Sequence, residues 1–556
     1  MDARICVLSR AALCVHAIAA LAVAIPAAAQ QPAPLAPRTA QPERYDVSGR
    51  LPDVSQLPPI EAGVVPQAHP VKPIPRPQPG REEAGRVPRP PAAPSGPLKV
   101  SPVTDFGGIG DRITPSYHVV AAPSDTTGAV GDTQYVQWVN DHFAIFNKQT
   151  NALVYGPAAG KVLWQGFGGR CEQNNDGDPI VQYDRLARRW LMTQFAVRGG
   201  PPYYQCVAVS RTSDATGAYA RYSYRFDDFN DYPKFGVWPD GYYAAFNMFS
   251  PTDRFLGAKA CAFDRAKMLQ GKKAQMVCFD TGSNFGGLLP SDLDGTTPPP
   301  AGSANYFLNF GQNSLNLWKF TPNWSNPSRS RLVGPTSIAV DPFVPACNAG
   351  DPCIAQPSDG GQRQELDSLG DRLMYRLAYR KFPDHESLVV NHSVDVQVGS
   401  GNVVGVRWYE LRNPGGTPVV QQQGTFAPDA AARWIGSAAM DRAGNMLIGY
   451  SVSSPTISPS IRFTGREAGD PANTLASEQT LVAGRGMQTI NRWGDYATLS
   501  VDPADDCTFW FTTEYMDGSG DFKWLTRIGH VKFNSCSAPA APSASNGARG
   551  QSRRHP

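Results

Sequence analysis

Asn174-Asn-Asp-Gly-Asp-Pro-Ile-Val-Gln-Tyr-Asp-Arg-Leu-Ala-Arg-Arg-Trp-Leu-Met-Thr-Gln-Phe-Ala196 is the stretch whose reading decides the fold. A tight polar turn, Asp176-Gly177-Asp178-Pro179, opens it. A short apolar run at Ile180-Val181 follows, then a Tyr183-Asp184 turn entry, then a second strand from Trp190 to Val197. Glycine and proline punctuate while β-branched and aromatic residues fill the intervals, which is the signature of strands and hairpins.

The same layout returns along the chain. Asp125-Thr-Thr-Gly-Ala-Val-Gly-Asp132 leads into Tyr135-Val-Gln-Trp-Val139. Asp231-Tyr-Pro-Lys-Phe-Gly-Val-Trp238 repeats it, as do Ser368-Leu-Gly-Asp-Arg372, Arg433-Trp-Ile-Gly-Ser437 and Arg492-Trp-Gly-Asp-Tyr496. A weaker copy runs from Asn305 to Phe310. Starts lie roughly 50 to 70 residues apart, and units repeating at such periods bury their faces only against neighbours. The expected fold is therefore all-β: one β-propeller of six or seven blades, seven preferred, rather than a pair of β-sandwiches, which would not repeat this layout. Long loops are expected at 288–302, 342–366 and 455–481, and one short helix between Asp264 and Gln275.

Residues 1–29 read as a secretory signal peptide: Arg4 and Arg10, an apolar run from Ala11, then Ala27-Ala28-Ala29. Residues 30–100 are roughly one quarter proline and read as a disordered Pro-rich linker. The propeller is assigned to 101–537 and a disordered tail to 538–556. The protein is thus expected to be secreted or periplasmic, with no membrane insertion after signal removal. Ten cysteines are present, two of them in the signal. The other eight are paired by proximity as Cys171 with Cys206, Cys261 with Cys278, Cys347 with Cys353 and Cys507 with Cys536, which suits an oxidising compartment. A formal net charge of +3 gives no basic face for nucleic acid. Nothing in the sequence fixes an oligomeric state.

In a propeller the leading turns of the innermost strands gather at one mouth. Asp125, Asp176, Asp178, Asp231, Lys234, Asp371, Arg372, Arg433, Arg492 and Asp495 would then share one polar basin. Asp176, Asp178, Asp371 and Asp495 are the candidate acid/base carboxylates, since crowded like charges raise a pKa. Arg372, Arg433, Arg492, Asp231 and Lys234 are the candidate ligand-binding residues, the arginines as carboxylate or sulfate clamps. The plainer role for each is to hold its own turn through backbone amides. Asn174 to Asp178 is also an oxygen-rich turn, so Ca2+ at Asp176 and Asp178 is a candidate cofactor, although the distal Glu of a calcium loop is missing. Ser291-Asp292-Leu-Asp294-Gly295 is a second such turn. His385 and His392 fall on opposite faces if they share a strand. No nucleophile elbow, H-E-x-x-H or P-loop is present.

Asp-Gly-Asp-Pro-Ile-Val-x-Tyr-Asp at 176–184, Asp-Tyr-Pro-Lys-Phe-Gly-Val-Trp at 231–238 and Asn-Arg-Trp-Gly-Asp-Tyr at 491–496 resemble signatures of secreted bacterial β-propeller proteins, mostly uncharacterised. A looser resemblance is to sialidase-type propellers, which implies an arginine triad at Arg372, Arg433 and Arg492. The Arg-Ile-Pro motif and the S-x-D-x-G-x-T-W box of that family are absent. Two functions follow as expectations: a recognition module for an extracellular glycan or protein, or a glycan-active hydrolase or lyase.

Overall fold

In the computed structural model, residues 35–57, 66–75, 91–358, 364–398 and 401–536 are described. The signal peptide expected at 1–29 and the tail expected at 538–556 lie outside them.

Seven four-stranded antiparallel blades form the structure. Blade 1 comprises Thr127–Val130, Gln134–Val139, His142–Asn147 and Leu153–Ala159. Blade 2 runs from Ile180–Asp184 out to Tyr219–Phe226, and blade 3 from Phe229–Trp238 out to Met276–Asp280. Blade 4 runs from Leu289–Asp294 to Arg331–Ala339, and blade 5 from Met374–Lys381 to Val419–Phe426. Blade 6 runs from Ala432–Met440 to Gln479–Val482. Blade 7 takes Thr498–Val501, Thr508–Met516 and Trp524–Lys532 from the end of the chain and its outer strand, Thr104–Gly107, from before blade 1. Each innermost strand packs on the next, and Thr498–Val501 returns to Thr127–Val130, so the ring closes. The innermost strands of blades 4 and 5 also pair in parallel, Ser291 opposite Leu377.

Tryptophans fill the spaces between sheets. Trp138, Trp190, Trp238, Trp408 and Trp434 on strands, and Trp493 in the segment before the innermost strand of blade 7, are all fully buried, and none is available to stack on a ligand. The helix expected after Asp264 is Arg265–Leu269, capped by the Asp264 carboxylate, which accepts from the Lys267 amide.

Three differences from the sequence reading have physical causes. First, 288–302 is not simply a loop: Leu289–Asp294 is the innermost strand of blade 4, and the Asn305 copy is its second strand. Likewise 455–481 holds two strands of blade 6, Ile457–Arg466 and the start of Gln479–Val482. Second, the described residues within the expected linker include paired strands. Arg38–Ala40 pairs on the edge of blade 3 and Arg44–Val47 on the edge of blade 2. An edge strand needs ladder bonds on one side only, so neighbouring prolines do not forbid it. Third, Gln67–Ala68 pairs in parallel with Ala121–Ala122, carrying residues 66–75 across the mouth.

Candidate functional site

The innermost strands begin alike. Asp125, Asp178, Tyr232, Ile435 and Asp495 all have positive φ, at 46°, 47°, 53°, 48° and 60°. Asp tolerates this left-handed conformation better than most residues. Tyr232 and Ile435 reach it inside bulges, between Asp231 and Lys234 and between Trp434 and Ser437. This recurrent kink brings Asp125, Asp178 and Asp495 to one cavity of about 250 Å³ together with Asp176, Asp231 and Arg372. Phe195, Phe229 and Tyr232 supply its aromatic surface.

The strap at residues 66–75 forms the rest of the wall, with His69 and Lys72 lining the cavity. It is tied down through its backbone. The His69 amide donates to the Ala122 carbonyl at 2.8 Å, and the His69 carbonyl accepts from Arg492 Nε. The Lys72 carbonyl accepts from Arg372 Nη2 at 3.3 Å, and the Ile74 amide donates to Asp371 Oδ2 at 3.3 Å. Gly287, with φ of 61°, makes this approach feasible. A Cβ there would stand 2.9 Å from Arg372 Cβ and 3.1 Å from Ile74 Cδ1.

Several expected site residues have other roles. Asp176 ties its turn to the end of the blade's second strand: Oδ2 accepts from the amides of Val197 at 2.6 Å and Arg198 at 2.8 Å. At the turn expected to hold calcium, Asp176 Oδ2 is taken up by these amides and Asp178 Oδ2 by the Tyr232 amide. Among the described residues, the metal-spaced grouping is Cys347, Cys353 and Asp395, whose two cysteines form a disulfide. Asp292 and Asp294 belong to a strand and bond the Arg376 guanidinium. Asp371 meets Arg372 in a two-point pair, with Nε to Oδ1 at 2.7 Å. Arg492 bonds the carboxylates of Asp367 and Asp495. Arg433 is outside the cavity lining, held by Asp429 at 2.8 Å and Glu478 at 2.7 Å. The three arginines therefore do not form an open anion clamp.

Lys234 is wholly buried rather than exposed to a ligand. Its ammonium stands 3.4 Å from the Tyr232 ring centre and 3.9 Å from that of Tyr496, and donates to the Pro233 carbonyl. Burial lowers its pKa to about 8. His392 lies elsewhere, buried against Phe310, Phe343 and Tyr409.

Asp125, Asp178 and Asp231 are left facing the cavity without an ion-pair partner among the described residues. Asp125 Oδ2 accepts from Asn140, and Asp178 Oδ2 from the Tyr232 amide at 3.1 Å. Burial raises all three pKa values, and mutual repulsion adds to it; Asp231 is pushed up to about 7. Glu514 was not singled out from sequence. It is wholly buried, accepts from the Gly494 amide and is raised to about 8 by burial.

Below the mouth the channel is plugged. Arg376 of blade 5 bonds Asp292 and Asp294 of blade 4 and the Leu499 carbonyl of blade 7, and Arg380 pairs with Asp506 at 2.7 Å. The two-residue alternation of these charges, which places them on one strand face, was the sequence signal for this plug.

The solved structures that resemble this chain include propellers and glycan-active enzymes. An ulvan lyase, a polysaccharide lyase solved with a bound glucuronic acid–sulfated rhamnose unit, is 11% identical with a TM-score of 0.35, covering 78% of this chain and 95% of its own. The N-terminal domain of Nup159 is 7% identical with a TM-score of 0.37, covering 81% and 100%. A β-1,3-galactosidase is 10% identical with a TM-score of 0.27, covering 79% and 97%. At such identities the likeness is one of fold class, and no residue role passes between the chains. No family model and no curated protein matches the sequence.

All four expected disulfides are present: Cys171–Cys206, Cys261–Cys278, Cys347–Cys353 and Cys507–Cys536. No helix among the described residues is long and apolar enough to cross a membrane.

Proposed function

We propose that this protein is an exported recognition propeller whose mouth binds a glycan. The supporting observation is that Asp125, Asp178 and Asp231 share one cavity with Phe195, Phe229 and Tyr232. Carboxylates accept hydrogen bonds from sugar hydroxyls, while aromatic faces cover the apolar face of a ring. A concave site combining a few polar groups with aromatic walls is the usual form of a small-ligand pocket. Four disulfides support the export reading.

A second reading, glycan cleavage, has its own support. Asp231, raised to about 7 by burial, can hold a proton near neutral pH in the same cavity as Asp178, as a general acid requires. Purified protein run over a panel of immobilised polysaccharides, scored for retention and for released sugar, tests both. Retention that Asp178→Asn abolishes supports recognition, and released sugar that Asp231→Asn abolishes supports cleavage. Absence of both retention and release across the whole panel would refute a glycan site.

A further inference from the structure

Building on the glycan reading of the mouth, we propose that its ligand carries a protonated amine: a glycan with free amino groups rather than a neutral, acetylated or acidic one.

The charges around the cavity lead to this ligand class. The arginines and the strap lysine at its wall are already engaged by the protein's own acids. Arg372 is engaged by Asp371, Arg492 by Asp367 and Asp495, Arg198 by Asp176 at 3.4 Å, and Lys72 by Asp253 at 2.6 Å. Lys234 acts on Asp178 and Asp125 only from behind the wall, between two tyrosine rings, and makes no ion-pair contact with either. Opposite these stand Asp125, Asp178 and Asp231, which line the cavity with no ion pair of their own among the described residues.

One oxygen calls for a donor. Asp125 is 2% exposed and lines the cavity, yet its Oδ1 has no hydrogen-bond partner. A buried acceptor left in this state is unfavourable until a donor arrives. A uronic or sulfated sugar would bring a further acidic group to a wall of three carboxyl groups, with no free arginine or lysine there to meet it. A bare metal ion needs a tighter set, because no three of the mouth carboxylates place their oxygens within 4.8 Å of one another. An ammonium carries three donors on a wider frame, and Phe195, Phe229 and Tyr232 offer the rings on which an organic cation settles.

The test is titration calorimetry of the full chain with three oligosaccharides of equal length: a glucosamine hexamer, its fully N-acetylated counterpart and cellohexaose. The glucosamine hexamer is expected to bind at least about tenfold more tightly than either of the others, and Asp178→Asn and Asp231→Asn are each expected to lose that margin, as removal of a charge-assisted hydrogen bond should. Unchanged circular dichroism and melting would show that these variants remain folded. Equal or tighter binding of the acetylated or neutral hexamer overturns the amine assignment and leaves the glycan site standing. Binding of the glucosamine hexamer that both variants retain also overturns it, since the amine then docks elsewhere. No binding of any of the three overturns the assignment outright, whereas the glycan reading itself is refuted only by the wider polysaccharide panel.

Discussion

Lys234 and Tyr232 are two residues apart, yet the ammonium of one lies 3.4 Å from the ring centre of the other. The bulge that gives Tyr232 its φ of 53° folds the strand back enough for this contact. Lys234 is thereby fixed as an internal counter-charge to Asp178 and Asp125.

Lys234→Met is expected to remove that counter-charge without leaving a large void. At pH 7, where Lys234 with its pKa of about 8 still carries its charge, the loss should be about 3 kcal/mol, the scale for removing one of two interacting buried charges. At pH 5 the neighbouring carboxyls, whose pKa values are raised, carry more protons, so the penalty should shrink. Thermal melts of both proteins at the two pH values provide the check, and an equal penalty at both would contradict the assigned role.

Stability should depend on pH in two opposing steps. Glu514 and Asp231, raised to about 8 and about 7, keep protons that the unfolded chain releases near pH 4. Their contribution is full below about pH 4 and is lost as pH climbs through 7 and 8. Lys234, lowered to about 8, acts the other way: the folded chain sheds this proton before the unfolded chain does near pH 10, so stability is regained above 8. Calorimetry between pH 5 and 10 should show the fall flattened in Glu514→Gln. A variant with the slope of the parent would remove Glu514 from the account.

The disulfides should rank by the loop each closes. Cys171–Cys206 spans a separation of 35 residues and Cys347–Cys353 only 6. The chain-entropy relation then gives about 4 and about 2 kcal/mol. Serine pairs at each site, compared by denaturant unfolding, should reproduce this order.

Strap docking should depend on Ile74, which is 5% exposed and packs on Gly286 and Gly287. Ile74→Ala is expected to weaken docking by about 2 to 4 kcal/mol, in the range for truncating a buried aliphatic side chain. Hydrogen exchange at the amides of Gln67 and His69, which bond the Val120 and Ala122 carbonyls, should accelerate while the blades stay protected. Uniform acceleration across the ring would mean the strap is part of the global core.

Blade starts were legible because a left-handed Asp before a short strand leaves a local trace, and Asp125, Asp178 and Asp495 carry it. Blade 4 lacks that trace: Gly286-Gly287 stands where other blades place an Asp, so its inner strand read as a loop. The arginines were misjudged for a different reason. Arg433 is shared between Asp429, four residues before it, and Glu478, 45 residues after it, and the second partner leaves no local trace. The strap was hidden because, apart from the Lys72–Asp253 pair, it is held through its backbone groups, which composition does not report.

The outer strand of blade 7 has a consequence for biogenesis. Thr104–Gly107 has its pairing partner in Trp524–Lys532, near the far end of the polypeptide. A chain threaded N-terminus first through a translocon would present that segment long before its mate emerges, and an unmated β-edge invites foreign pairing. Locking of the circle must therefore await delivery of the final hairpin, which makes the interval before it arrives the period when a holdase chaperone has most to protect.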